Sequence, residues 1–367
     1  MASIVISAAV IILAVFLFFR YFPAFGGRPS EAVLKRMHAS THFDGKVFQN
    51  TIPTSMDMNG KDILSMLQDY AKGNPRRKPV VPVPVVPFRF GQPLGTDEAR
   101  VTWLGHSAFI LEMEGKTLLV DPMLGSAPTP FPWFGNKRFS KQLPFEMEQL
   151  PEVDAIVFSH DHYDHLDYHS FQKLKHKARR FIVPLGVGSH LERWGADPSL
   201  ISEHDWHNTV EFNGIKLICA PARHFSGRSL TDRNTTLWCS WAFIGQHNKI
   251  FYSGDSGYGP HFKEIGDSYG PFDLTLMECG QYDTRWASIH MMPEETVQAH
   301  MDVKGRTLIP VHWGAFILSF HDWNDPVKRA WKASKENGVH ITVPKIGETV
   351  TVGETAHHSH SEEWWRE

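Results

Sequence analysis

The run His160-Asp161-His162-Tyr163-Asp164-His165 constrains this chain more than any other segment. It sets three imidazoles and the carboxylate of Asp164 within six residues. It follows Ala155-Ile156-Val157-Phe158, a short apolar run that predicts a buried strand. Such a strand delivers its loop to the carboxyl edge of an α/β sheet, where ligands bind. The H-x-H-x-D-H spacing is too dense for one helix face, whose side chains align every three or four residues. Imidazole and carboxylate are the ligands taken up by zinc and related ions. An α/β chain in which a strand presents a metal-binding loop is therefore expected.

Composition narrows the class. With 42% hydrophobic residues and 12 Trp, the 367-residue chain can bury a large core. A formal net charge of -3 argues against binding nucleic acid by general charge, and no nucleic-acid partner is expected. Cys219, Cys239 and Cys279 are scattered, which predicts buried thiols and no disulfide framework. Residues 2–19 carry no charge and are dense in Ile, Val, Leu and Phe. That is close to the roughly 20 apolar residues needed to cross a bilayer. Arg20, Arg28, Lys35 and Arg36 follow, so a single N-terminal anchor with the catalytic domain on the cytoplasmic side is expected.

Four segments are expected along the chain. Residues 1–22 form the transmembrane anchor, 23–98 a linker and covering arm, 99–352 the main domain and 353–367 a tail. Within the arm, residues 62–70 read as a short helix. The prolines at 79, 82, 84 and 87 force an extended strap. Its valines suggest packing, and the arm is a candidate dimer contact. Beyond Ala99, strand-like and helix-like segments alternate. Strands are expected at 101–104, 108–113, 117–120, 181–183, 215–220, 238–244, 249–252, 274–277 and 308–311. Helices are expected at 170–177, 294–301 and 327–335. The tail holds His357, His358, His360, Trp364 and Trp365.

Four later strands also end in a candidate ligand: His224 after 215–220, Asp255 after 249–252, Cys279 after 274–278 and His312 after 308–311. With these residues added, the chain resembles the metallo-β-lactamase superfamily. Its H-x-H-x-D-H motif stands at His160, His162, Asp164 and His165, with His224, Asp255 and His312 as the remaining ligands. The words Trp103-Leu104-Gly105-His106-Ser107, Asp121-Pro122, Tyr252-Ser253-Gly254-Asp255-Ser256-Gly257 and Val311-His312-Trp313-Gly314 are similar to its N-acyl phosphatidylethanolamine-hydrolysing phospholipase D branch. The likeness covers residues 43–350.

The resemblance implies an αββα sandwich, preceded here by the membrane segment and extended arm. It implies two Zn2+ ions, with iron or manganese able to use the same ligands. His160, His162 and His224 would hold one ion, Asp164, His165 and His312 the other, and Asp255 would bridge them. A hydroxide shared by the pair would attack phosphorus and release an N-acylethanolamine and phosphatidic acid. Alternatives are a lactonase or soluble phosphodiesterase on the same site, or a non-catalytic metal-binding protein. His290 is a candidate catalytic or substrate-contacting residue, and Asp121 is expected to orient a ligand. His106, in a Gly-His-Ser turn after a strand, either lines the site or satisfies backbone groups, the second being the favoured reading. A phospholipid substrate requires a membrane contact. The aromatic loop 131–135, followed by Lys137, Arg138 and Lys141, is a candidate for it.

Overall fold

The computed structural model describes residues 2–55, 59–353 and 363–366; at positions 2–5, 8 and 9 only the backbone is described. Among the described residues fourteen strands form two seven-stranded sheets. The first sheet uses β1 (Ala99–Trp103), β2 (Phe109–Met113), β3 (Lys116–Val120), β4 (Ala155–Val157), β5 (Phe181–Pro184) and β6 (Ile201–His204). The second uses β7 (Thr209–Phe212), β8 (Ile215–Ala220), β9 (Ser240–Ile244), β10 (Lys249–Tyr252), β11 (Phe272–Glu278), β12 (Gly305–Val311) and β13 (His340–Ile341). The last strand, β14 (Thr349–Thr351), returns to the first sheet beside β1, giving the order β14-β1-β2-β3-β4-β5-β6. Antiparallel pairing through β1–β3 gives way to parallel pairing through β3–β6, and the second sheet changes the same way at β10.

Strand alternation explains the layers. In β3, Leu118 and Val120 enter the core shared with Trp241 and Phe251 of the second sheet. Leu119 points the other way, into a second core with Phe171 and Leu191. Those two residues lie on helices α4 (Tyr168–Leu174) and α5 (Gly188–Arg193). Strands covered on both faces read as unbroken apolar runs, which is why β4 and β5 were legible. Helices α6 (His261–Tyr269), α7 (Pro293–Asp302) and α8 (Asp325–Glu336) belong to the second sheet's half, with α7 packed on β11 and β12. This is the expected αββα sandwich. All three cysteines are free and buried.

The N-terminal region adds α1 (Ala2–Tyr21), α2 (Glu31–Ala39) and α3 (Gly60–Lys72). The helix expected at 62–70 is longer because Asn59 and Asp62 form a capping box at its start. The arm packs on its own domain. Val33, Met37, Phe48 and Val83 enter the main core, and Val85 bridges Ile346. Those apolar groups are thus used within the chain, and the arm's dimer role finds no support in its packing.

Two expectations need correction. Among the described residues no helix is long and apolar enough to cross a membrane. The spanning anchor at 2–19 is therefore unsupported, and part of that stretch lies outside the described side chains. At the other end, Trp364 and Trp365 do not trail away. Trp365 is buried, and Trp364 stacks on Trp313 with ring centroids 5.3 Å apart. Large aromatic surface gains more from this core than from water. His357, His358 and His360 lie outside the described residues.

Candidate metal centre

The site forms where strand ends from both sheets meet. The loop after β4 carries His160, His162, Asp164 and His165, while β8, β10 and β12 deliver His224, Asp255 and His312. Asp255 sits at the centre. Its Oδ2 is 3.1 Å from His165 Nε2 and 3.8 Å from both His160 Nε2 and His224 Nε2. Its Oδ1 is 3.0 Å from His312 Nδ1. Asp164 Oδ2 lies 3.6 Å from His165 Nε2 and 3.9 Å from His312 Nε2. The structure thus brings all seven ligand candidates together.

Close approach demands unusual backbone. His106, Asp121 and His312 all have positive φ, at 54°, 40° and 65°. Non-glycine residues pay of order 1–3 kcal/mol each for such conformations, which persist only where surroundings impose them. At Gly280 a Cβ would lie 2.1 Å from the His312 carbonyl oxygen, so only glycine lets the chain leave β11 past that residue.

A supporting shell fixes the rings. Asp121 accepts from Ser159 N at 2.7 Å, from the Ser159 and Tyr252 hydroxyls, and from His165 Nδ1 at 2.7 Å. With Nδ1 so engaged, His165 turns Nε2 inward. Ser159 donates to Asp121 and lies 2.9 Å from His160 Nδ1, and His224 Nδ1 donates to the Ile289 carbonyl at 3.0 Å. His160 and His224 therefore also present Nε2 to the site. His290 Nδ1 meets Glu278 Oε2 at 2.8 Å, and its ring is 5.0 Å from that of His224.

Glu278 is not marked by the sequence reading, and His106 takes the less favoured of its two expected roles, lining the site. His106 does more than satisfy backbone groups: its Nε2 lies 2.8 Å from Asp164 Oδ2. Glu278 closes an apolar strand, the same signal that marked Asp255, and its carboxylate also accepts from Met291 N at 2.7 Å. Arg138, expected near head groups, is instead half-buried and lies over the Phe316 ring at 4.6 Å. Its burial depresses the guanidinium pKa to about 10.

The donors fit divalent cations. His160 Nε2 and His224 Nε2 lie 2.9 and 3.2 Å from His162 Nδ1, so nitrogens converge. His165 Nε2 and Asp255 Oδ1 are buried and, although 3.1 and 3.0 Å from Asp255 Oδ2 and His312 Nδ1, form no well-aligned hydrogen bond among the described residues. Unsatisfied buried polar atoms are costly, and an ion would engage them. His160, His162, His224 and Asp255 form one group with ligand atoms within 4.8 Å of one another; His106, Asp164, His165 and His312 form a second.

Charge follows the same pattern. Burial holds His160, His224 and His312 well below the usual histidine range, and lowers His162 to about 4. These four are neutral at pH 7, as metal ligands must be. Burial also disfavours charge on His165, but the carboxylates of Asp255, Asp164 and Asp121 outweigh it and raise that imidazole well above its ordinary value. Burial raises Asp255 to about 7. The His165–Asp255 pair therefore keeps a proton at neutral pH that a metal must displace. Metal uptake should release about one proton, and apparent affinity should rise with pH. Calorimetry in buffers of different ionisation enthalpy measures this. Uptake with no net proton release at pH 7 would overturn it.

Residues 116–313 match the family model described as a beta-lactamase superfamily domain. An uncharacterized Mycobacterium tuberculosis protein is 38% identical over 94% of this chain and 92% of its own length. N-acyl-phosphatidylethanolamine-hydrolyzing phospholipase D 1 of Caenorhabditis elegans is 37% identical over 59% of this chain and 64% of its length. The solved structure of a metallo hydrolase from the archaeon Ignicoccus hospitalis, 20% identical, covers 69% of this chain and 98% of its own at a TM-score of 0.54, a likeness of fold. With this match taking in strands of both sheets and all seven ligand candidates, the chain belongs to the beta-lactamase superfamily of metal-dependent hydrolases.

Proposed function

We propose that this hydrolase is a zinc-dependent phospholipase D acting on N-acyl phosphatidylethanolamine at a membrane surface. The observation that carries the reading is the central position of Asp255, within 3.8 Å of imidazoles from both ligand groups. That arrangement supports a site for two ions, with His160, His162 and His224 on one side and Asp164, His165 and His312 on the other. Ions bound there would supply Lewis acidity and lower the pKa of water. The similarity to the Caenorhabditis elegans phospholipase supports the substrate class.

The chain's own groups have distinct work in this reading. Asp121 fixes the His165 ring, and His106 fixes the Asp164 carboxylate; such partners orient ligands. Glu278 engages Nδ1 of His290, which leaves Nε2 to pass a proton to the departing alkoxide. Substrate contact with lipid is supported by exposed apolar side chains. Ile11, Ile12, Phe16, Trp133 and Phe134 are all exposed, and Phe131 packs on Phe22 at 5.1 Å. An apolar groove of about 420 Å³ runs from Phe18, Phe19 and Phe131 to Tyr163 of the metal loop.

Purified protein assayed on N-acyl phosphatidylethanolamine in detergent micelles, with metal analysis of the same sample, tests the proposal. Release of N-acylethanolamine with about two metals per chain, abolished by chelation, is expected. Two metals without release would overturn the substrate assignment and point to lactones or soluble phosphodiesters.

A further inference from the structure

We infer that the N-terminal segment at residues 22–27 is a working part of the metal site, acting through Arg228 and His190 as positioning residues. Arg228 is buried, and its guanidinium spans two parts of the chain. Nε donates to the Ala24 carbonyl at 3.0 Å. Nη1 donates to the carbonyls of Asp161 and Leu166, the latter at 2.8 Å. Those two carbonyls bracket His162, Asp164 and His165. The guanidinium also lies 4.1 Å over the Tyr163 ring, within the same loop.

A second path runs in parallel. The Gly27 amide donates to His190 Nδ1 at 2.9 Å. This places the His190 proton on Nε2, which meets Asp161 Oδ2 at 3.2 Å. Asp161 stands between His160 and His162, and its carboxylate accepts from Gly227 N and Thr236 Oγ1, each at 2.8 Å. One backbone carbonyl and one backbone amide of the N-terminal segment thus terminate both hydrogen-bond chains that reach the metal loop.

The segment is seated for this purpose. Trp194 Nε1 donates to the Pro23 carbonyl at 2.7 Å, and Arg193 donates to that of Tyr21 at 2.9 Å. A Cβ on Gly26 would lie 2.1 Å from His190 Nδ1, and one on Gly27 would lie 1.9 Å from the Ser189 carbonyl oxygen. Only a backbone without side chains can rest this closely on α5. Displacing it strands a buried guanidinium nitrogen and frees the His190 tautomer, although no atom of residues 22–27 is among the ligand candidates.

The test uses full-length Gly27→Val, Arg228→Lys and Arg228→Met proteins. Three quantities are measured: hydrogen exchange of the His165 and Leu166 amides in metal-free protein, metal retention against a chelator, and turnover. Those amides bond the His162 carbonyl at 3.1 and 2.8 Å. Gly27→Val and Arg228→Met should speed their exchange at least tenfold and hasten metal loss. Each should lower kcat by about 10–100-fold, as loss of a supporting group does, with KM little changed. Arg228→Lys should recover part of the loss. Wild-type exchange, retention and kcat in Gly27→Val would overturn the inference. So would a loss of turnover that tracks a global fall in Tm while the loop amides stay protected. The inference rests on the metal-loop reading. Unaltered protein that neither binds metal nor turns over would overturn that reading, while exchange in the metal-free state would still report the coupling.

Discussion

Asp255→Asn is expected to abolish metal-dependent turnover with the fold intact. The substitution keeps shape and volume but removes the only carboxylate among the described residues that lies within 3.8 Å of His160, His165, His224 and His312 together. The amide offers a neutral oxygen and two N–H donors, which would face the acceptor nitrogens that His160 and His224 turn inward. Loss should exceed the roughly 10–100-fold typical of residues that merely support a ligand. Burial disfavours the Asp255 carboxylate in the metal-free protein, lifting its pKa to about 7. Neutralising it should therefore leave stability unchanged or higher without metal. Metal analysis, turnover and thermal melts with and without metal check this. Full metal content and activity in Asp255→Asn would show that the two ligand groups do not depend on a shared carboxylate.

Trp313→Ala should be the most damaging single change to the fold. The ring is fully buried, and its Nε1 donates to the Pro310 carbonyl at 3.0 Å. It stacks on Trp103 of the first sheet at 5.7 Å, on Trp364 at 5.3 Å and on Trp323 at 6.4 Å. One side chain thus ties β1, the end of β12, the loop before α8 and the C-terminal segment. Removing a buried Trp costs about 3–5 kcal/mol, which for a domain of this size lowers Tm by roughly 6–15 °C. Trp313 also follows His312, whose backbone is held at φ 65°. Release of that strain should weaken metal retention beyond the stability loss. Calorimetry and chelator competition on Trp313→Ala and Trp313→Phe check both effects, the Phe variant losing less. A shift in Tm below about 2 °C would show that the tryptophan cluster does not hold the sheets together.

Much of the architecture is legible in local pattern because burial on both faces of a strand leaves an unbroken apolar run. The central strands β3, β4, β5, β10 and β11 declare themselves this way. Edge strands do not. Ile201-Ser202-Glu203-His204 and Thr209-Val210-Glu211-Phe212 are half-exposed, so their polar residues hide the strand, and β13 and β14 are too short to leave a pattern. The tryptophans at 364 and 365 look like a tail because no adjoining residue outside the pair receives them; Trp364 meets Trp103 and Trp313, and Trp365 meets Trp331, all distant in sequence.

The candidate site divides along the same line. Ligand types can be read because metal chemistry accepts few side chains, and strand ends are where an α/β sheet presents them. That determines His160, His162, Asp164, His165, His224, Asp255 and His312 as candidates. The tertiary structure alone decides that Asp255 stands between the others, that His106 meets Asp164, and that Glu278 meets His290. It alone decides that Arg228 joins Ala24 to Asp161 and Leu166 across some two hundred residues of chain. The reason is physical. Local sequence reports whether a side chain is buried and how the chain turns, whereas contacts between strand ends depend on how two sheets pack, which no single stretch of residues encodes.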